Sequence, residues 1–345
     1  MDKKTHPKVS LLIAMRNEAT KIGGCLDSIF QQDYPPDRIE VLVMDGESTD
    51  ASRQAVEGLI EGRSNCKLVS NPGIYQSHGW NIGIAHSTGD IVGIVSAHSL
   101  LDTDYVSKAV ETLLASGADM VGGTMKAIGA TYIAAAISLA TSSPFGVGDA
   151  RFHYTEREEE MDTVYMGLCW RSVYQRIGGF DQDMVRNQDD ELSYRLRKAG
   201  GRIVCNPAIR SRYYNRASLP ALWRQYYQYG YYKVRVLQKH PAQMRPRQFI
   251  PPLFVLSLAA SVLFALTPSY WLGGFIVPLL YVLTNLLASL RVASKQGGRY
   301  LSVLPLVFFI LHLGYGVGFL AGLIKFRSRW NDKVGKTPIF TREPA

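Results

Sequence analysis

The chain has 345 residues, with 38 Lys and Arg against 29 Asp and Glu, a formal net charge of +9. Apolar residues make up 47% and charged ones 19%, below the roughly 25% of an average soluble chain. That balance excludes a single small domain, an acidic disordered tail, a collagenous chain and a disulfide-rich mini-protein.

The opening Met1-Asp2-Lys3-Lys4 has no long apolar run behind it, so no signal peptide is expected and the first 240 residues are expected to stay cytoplasmic. Val9–Ala14 reads as a buried parallel strand, and Ala19–Gln32 as a helix with Ile22, Leu26, Ile29 and Phe30 on one face. Ile39–Met44 is a second strand, Ala51–Glu61 a helix, Lys67–Val69 a short strand, Trp80–Ser87 helical, and Ile91–Val95 a further strand. Strands alternating with helices predict an α/β, Rossmann-like parallel sheet with ligands at the carboxyl ends of the strands. Cys25, Cys66, Cys169 and Cys205 stand apart without CxxC or zinc spacing and read as reduced thiols.

Three polar loops follow those strands: Met15-Arg16-Asn17-Glu18, Asp45-Gly46-Glu47-Ser48-Thr49-Asp50 and Ser96-Ala97-His98-Ser99. Loops of this kind at one sheet edge suit a nucleotide, with carboxylates for base or ribose hydroxyls and helix starts for phosphate. Singly each has a plainer reading; Asp50 could simply cap the helix at Ala51. Asp189-Asp190-Glu191 is a dense acidic cluster, in which like charges raise the pKa of at least one member, and it precedes a helix that it could also cap.

Cys205 to Arg247 holds nine Lys or Arg and no acid, interleaved with Trp223 and seven tyrosines. Just before an apolar stretch this predicts interfacial helices on anionic lipid rather than a nucleic-acid surface. No charge falls between Gln248 and Leu290, nor between Leu304 and Ile324. Membrane spans need about 20 apolar residues, so 249–267, 271–290 and 303–324 are expected to span, and 325–345 to form a basic tail. Positive-inside counting satisfies the first two spans but puts Lys325, Arg327, Arg329, Lys333 and Lys336 outside after a third. Pro305 and the Gly314–Gly318 run would permit a break there, so 303–324 could instead re-enter.

The motifs Ala14-Met15-Arg16-Asn17-Glu18, Val43–Asp50, Asn81-Ile82-Gly83-Ile84-Ala85, Gly178-Gly179-Phe180-Asp181, Asn187–Leu192 and Arg195–Gly201 resemble the family 2 inverting glycosyltransferases of GT-A fold, especially the membrane-attached exopolysaccharide enzymes of succinoglycan type. The resemblance spans about residues 8–240 and implies a GT-A domain over 1–205; with the charge pattern above, the expected order is that domain, interfacial helices over 206–248 and a transmembrane region over 249–324. It implies that Ala14, Arg16, Asn17, Glu18, Asp45, Asn81, Ser96 and Ala97 form the nucleotide-sugar site, with Glu18 and Asp45 on the nucleoside and Asp189 as catalytic base. It further assigns Asp190, Arg151, Met166, Gly167, Gln225, Gln228 and Tyr229 to the acceptor and diphosphate side.

Two departures stand out. The family's Asp-x-Asp triplet reads Ser96-Ala97-His98, so His98 becomes the candidate ligand for Mn²⁺ or Mg²⁺, unless the site works without metal or is inactive. Gln225-Tyr226-Tyr227-Gln228-Tyr229 resembles a Gln-x-x-Arg-Trp helix in which Gln228 replaces Arg and Tyr229 replaces Trp; Arg224 or Lys233 could supply the guanidinium's charge. The implied function is inverting transfer, at the inner membrane of a bacterium, from a nucleotide-diphosphate sugar, uridine-linked, to a hydroxyl of a polyprenyl-diphosphate saccharide. Polyprenyl-phosphate transfer or a non-catalytic nucleotide-sugar binder are the alternatives.

Overall fold

The computed structural model describes residues 6–148, 150–332 and 335–340. The expectations for Met1–Lys4, for Lys333 and for the last five residues of the tail lie outside them. The chain divides into two compact units: residues up to Lys126 with Arg151–Tyr214 and the segment from Gly335, and Ala127–Ala150 with Asn215–Val334.

The first unit is an α/β sheet. Its elements are β1 (Val9–Met15), α1 (Ile22–Phe30), β2 (Ile39–Asp45), α2 (Ser52–Ile60), β3 (Cys66–Ser70), α3 (Gln76–His86), β4 (Ile91–Ser96), β5 (Ser99–Leu101), α4 (Tyr105–Ser116) and β6 (Met120–Ile128). After α5 (Tyr132–Thr141) and α6 (Pro144–Val147), which belong to the second unit, come β7 (Glu159–Glu160), β8 (Tyr165–Trp170), α7 (Arg171–Ile177), α8 (Gln188–Lys198) and β9 (Ile203–Tyr214). The strands run in the order β3-β2-β1-β4-β8-β6-β9-β5, with β7 also on β9. β3, β2, β1 and β4 pair in parallel, whereas β8 is antiparallel to both β4 and β6.

β1 shows why this sheet is covered on both sides. Val9, Leu11, Ile13 and Met15 point into a core with Ile22, Leu26, Val106 and Val110 of α1 and α4. Leu12 and Ala14 point into another with Trp80 and Ile84 of α3, Tyr174 of α7 and Leu192 and Leu196 of α8. A strand buried on both faces reads as an unbroken apolar run, which is why its sequence carries no alternation. The polar Ser10 and Glu40 survive in this core because they bond each other at 2.6 Å, and Glu40 also accepts from the Thr88 amide at 2.8 Å.

Several expected boundaries move. α1 starts at Ile22 rather than Ala19, because the preceding residues are held by another loop. α3 begins a turn early, at Gln76, through polar residues that show no apolar period. Residues 206–214, expected in an interfacial helix, belong to β9, whose buried Ile209 and Ser211 alternate with exposed Arg210 and Arg212. That period of two is a strand's.

The second unit contains α5, α6, α9 (Leu219–Lys239), α10 (Ile250–Ala265), α11 (Ile276–Ser294) and α12 (Leu304–Lys325). Two of its helical stretches, Gly273–Ser294 and Leu304–Lys325, are long and apolar enough to cross a bilayer, with mean hydropathy 1.8 and 2.0. The segment expected to span at 249–267 forms a helix of 16 residues, short of the about 20 a bilayer core requires.

α12 is unbroken, so the glycine run expected to permit a re-entrant break does something else. A Cβ at Gly314 would meet Trp223, at Gly318 the Tyr227 carbonyl and at Gly322 that of Tyr231, all on α9; one at Gly316 would meet the Pro251 carbonyl on α10. The glycines are therefore seats for neighbouring backbones, as small residues are at close helix crossings. Gly318→Val is expected to lower the unfolding midpoint of the detergent-solubilised chain, at a cost of about 1–3 kcal/mol or more, because the obstructing atom is backbone. An unchanged midpoint would mean that α9 and α12 separate easily.

Candidate functional site

In-register pairing puts the carboxyl ends of three strands level: Ala14 lies between Met44 and Ser96, and Met15 beside Asp45. The loops after β1 and β2 are stitched together there. The Asn17 amide donates to Ser48 Oγ at 3.0 Å, and Thr49 N donates to Asn17 Oδ1 at 2.8 Å. Glu18 N donates to Ser52 Oγ at 2.7 Å, and Ala19 N to Asp50 Oδ2 at 3.3 Å. Asp50 is not the N-cap residue of α2, which is Ala51, but its other oxygen accepts from the hydroxyl and the amide of Ser52, the first residue of that helix, and these bonds hold its carboxyl below the usual carboxylate range. Asp45 is buried, accepts from the Ser48 amide at 3.2 Å and stands 3.7 Å from Arg53. Ala14 is buried, and Arg16 and Asn17 are exposed.

Glu18 and His98, assigned to different tasks by sequence, meet: Glu18 Oε1 lies 2.9 Å from His98 Nδ1. The imidazole also packs edge-on against Tyr213, with ring centroids 5.0 Å apart. Such a carboxylate fixes the tautomer and leaves Nε2 as the ring nitrogen able to coordinate. Among the described residues no group of three or more His, Cys, Asp or Glu is close enough to hold a metal. The donor set fits a divalent ion only in part: one oriented imidazole, with the remaining ligands to come from a bound molecule or water.

Ser96, in the place of the first Asp, donates its amide to Met166 Sδ at 3.3 Å. Met166 adopts φ +47°, a left-handed conformation rare for a side chain of this size. Its carbonyl accepts from Tyr105 Oη at 3.0 Å, which holds it and the adjoining Gly167 at the end of β4. Ala97 is buried, and the Cys25 thiol donates to the Ser96 carbonyl at 3.5 Å. Burial, with Glu18's charge behind it, pushes that thiol up to about 12, which makes it unreactive.

α8 divides the acidic cluster. Glu191 is buried and bonds Arg195 through both oxygens, at 2.7 and 2.9 Å, whereas Asp189 and Asp190 are half-buried on the first turn. The pairing removes Glu191 from the like-charge group. Asp189 Oδ1 accepts from the Asp190 amide at 2.9 Å. Gln188, beside them, donates to Gln76 Oε1 at 3.0 Å and so joins the first turns of α8 and α3. Gln188 Oε1, Ser77 Oγ, Trp80 Nε1 and Asn71 Oδ1 are buried without a hydrogen-bond partner among the described residues. Buried polar atoms of this kind normally have partners, so the first turns of α3 and α8 carry capacity for a polar ligand. Sequence reasoning passed over Gln76 and Ser77, whose only signal was a polar run ahead of an apolar helix; Gln188 stood in the Asn187–Leu192 motif but was given no role there.

Asn81 was expected to support the nucleotide-sugar pocket. In the structure it grips the chain entering α8: its Nδ2 donates to the Phe180 carbonyl and its Oδ1 accepts from the Phe180 amide, both at 2.8 Å. Asn81→Ala should orphan two buried backbone groups, at about 1–3 kcal/mol each. Thermal unfolding would register that loss, and an undisturbed midpoint would remove the clamp.

Arg151, expected on the acceptor side, is 2.7 Å from Glu159. In the second unit Gln225 donates to Tyr229 Oη at 2.8 Å, one turn along α9, and its Oε1 accepts from Arg216 at 3.3 Å. The cation beside Gln225 is Arg216; of the two weighed from sequence as replacements for the charge lost at Gln228, Arg224 is exposed and Lys233 buried. Gln228 is half-buried on the same helix.

Comparison with known proteins agrees with this geometry. Residues 10–178 match the Glycosyl transferase family 2 description. The chain resembles the succinoglycan biosynthesis protein ExoA of Rhizobium meliloti (strain 1021), at 28% identity across 95% of this chain and 98% of that one. It is 27% identical to a dolichyl N-acetyl-α-D-glucosaminyl phosphate 3-β-D-2,3-diacetamido-2,3-dideoxy-β-D-glucuronosyltransferase of Methanococcus voltae, across 93% and 98%. The fold resembles that of the mannosyltransferase PcManGT from Pyrobaculum calidifontis, solved with GDP-Man and Mn²⁺, with a TM-score of 0.57 and 21% identity over 93% of this chain and 88% of that one. Residues 10–178 are thus a glycosyl transferase family 2 domain on a GT-A scaffold, and the chain is a glycosyltransferase of that class.

Proposed function

We propose that this enzyme transfers a sugar, with inversion, from a nucleoside-diphosphate donor to a hydroxyl of a lipid-carried saccharide in polysaccharide synthesis. The carrying observation is the first turn of α8, where Asp189 and Asp190 are half-buried while Glu191 is committed to Arg195. Asp45 and the laced loops after β1 and β2 hold the nucleoside, uridine by the family resemblance. Asp189 takes the acceptor hydroxyl's proton as its oxygen forms the new bond to the anomeric carbon. The bond from that carbon to the diphosphate breaks on the opposite face.

Glu18 orients His98, whose Nε2 supplies one ligand to a divalent ion such as Mn²⁺ or Mg²⁺; that ion would offset charge on the leaving diphosphate. In the second unit Gln225, Gln228 and Tyr229, with Arg216, serve the acceptor, and in the first unit Arg151, Met166 and Gly167 are the residues that the family resemblance assigns to the acceptor and diphosphate. The α11 and α12 stretches attach the enzyme to the cytoplasmic face of the cell membrane, where a lipid-held acceptor loses fewer degrees of freedom on reaching the site. The names of the two full-length relatives support this reading, one placing its bearer in succinoglycan biosynthesis and the other giving a dolichyl-linked sugar phosphate as acceptor.

The test supplies membranes containing the enzyme with radiolabelled UDP-sugars and a lipid extract. The expected result is chloroform-soluble label of inverted anomeric configuration. Label that never enters the lipid phase, with any of several acceptors, would refute the proposal. Ser96 in place of an acid favours one competing reading, a non-catalytic nucleotide-sugar binder. Calorimetric UDP binding without turnover would decide for that reading.

A further inference from the structure

The chain's last described residues return to the first unit and lie on the loop that leads into α8. The Gly179 amide donates to the Pro338 carbonyl at 2.8 Å, and the Gln182 amide to the Lys336 carbonyl at 3.2 Å. In the other direction the Lys336 amide donates to Asp181 Oδ1 at 3.2 Å, and Lys336 Nζ lies 3.8 Å from Asp183. Asp181 is fully buried, so this backbone amide answers part of a carboxylate's need for donors. Phe340 packs on the cluster that holds Phe180, Leu192 and Leu196, and its ring shares with Asn81 Oδ1 the space a Cβ on Gly179 would take. At Gly178, where φ is +77°, the neighbouring atoms are Thr337 and the Pro338 carbonyl.

The same loop is gripped from two further sides. Asn81 of α3 brackets Phe180, and Arg195 of α8 donates to the Ile177 and Gly179 carbonyls at 2.5 and 2.6 Å while holding Glu191. With Asn81 and Arg195 in place, the carboxyl-terminal segment completes a three-sided clamp on residues 177–182. Six residues later the chain enters α8 through Asn187, whose φ of +63° fixes the direction of the first turn and hence of Asp189.

We propose that Gly335–Phe340 is a strap that positions Asp189 for proton transfer, so that the tail following α12 is part of the catalytic apparatus rather than a disposable basic end. This rests on the reading of Asp189 as the base. The strap residues are positioning residues: none is taken to touch donor or acceptor. Misplacing a catalytic group by about an ångström can cost up to about a hundredfold in rate. Donor binding draws on the loops after β1, β2 and β4, whereas the strap's bonds among the described residues go to the loop ahead of α8.

The test uses the full-length enzyme in detergent with three variants, Phe340→Ala, Phe340→Leu and termination before Gly335, and Asp189→Asn alongside. Phe340→Ala and the truncation should lower kcat about tenfold or more, with donor affinity by calorimetry unchanged within about twofold. Phe340→Leu should recover most of the rate. Hydrogen exchange should quicken in residues 177–192 and not in β1. Full kcat in the truncated enzyme, or parallel loss of kcat, donor affinity and exchange protection throughout, overturns the strap. Full activity of Asp189→Asn overturns the assignment beneath it. A dead Asp189→Asn beside fully active strap variants removes the strap alone.

Discussion

Asp189→Asn should reduce sugar transfer by about 10²–10⁴-fold while nucleotide binding stays within about twofold of the parent. The substitution keeps the shape of the side chain, and its amide oxygen can still accept from the Asp190 amide as Asp189 Oδ1 does at 2.9 Å. What it removes is the basic lone pair that receives the acceptor's proton. Asp190→Asn is the matched control: Asp190 is equally half-buried on the same turn, and a common electrostatic role would make the two losses alike. Single-turnover assays with saturating donor separate a slowed chemical step from lost affinity. Near-parental transfer by Asp189→Asn would remove the base assignment. An acceptor that is already an ionised phosphate would then become the better reading, since it requires no base.

His98→Ala should produce the second large effect, on the order of a 10–100-fold rise in the Mn²⁺ concentration needed for half-maximal activity, if the imidazole is a ligand. Glu18→Gln should give a smaller shift in the same direction. The amide oxygen can still accept from Nδ1–H at the 2.9 Å seen for the carboxylate, but it no longer strengthens the ring as a donor. Titrating Mn²⁺ and Mg²⁺ against each variant, with nucleotide binding by calorimetry in parallel, distinguishes this from lost nucleoside contact. Equal metal response in parent and both variants would leave the pair a structural bridge between β1 and β4 and favour a site whose diphosphate is held by cations of the protein.

The two assignments differ in how far sequence could carry them. Asp189 was legible because it sits in a dense motif just ahead of a helix, and the structure does place it on the first turn of α8. That Glu191 leaves the cluster was not legible, since nothing in a run of three acids says which one turns inward. The answer is Arg195, one helical turn later, which also needs the Ile177 and Gly179 carbonyls to be within reach. Asn81 shows the same limit. Its motif marked it as important, yet its side chain serves Phe180, 99 residues away, and only the packing of α3 against that loop reveals it.

The helical unit repeats the lesson with apolar residues. The absence of charge between Leu304 and Ile324 predicted a long apolar helix, and α12 is one. The same stretch holds glycines that favour a break when read locally. The break does not form because α9 and α10 seat their backbones against those positions, which turns an entropic weakness into close packing.

By itself the amino-acid sequence determined the parallel β-α framework, the three polar loops at its edge, the acidic turn and the uncharged helices. Each is local: a period of apolar residues, a motif, or a missing charge acts within a few turns of chain. Tertiary structure alone decided that Glu18 faces His98, that Arg216 meets Gln225, and that the residues from Gly335 clasp the approach to Asp189. Those pairings join positions separated by up to about 160 residues. Which of many compatible partners meet is fixed only when the whole core closes and buried polar groups take the donors and acceptors left within reach.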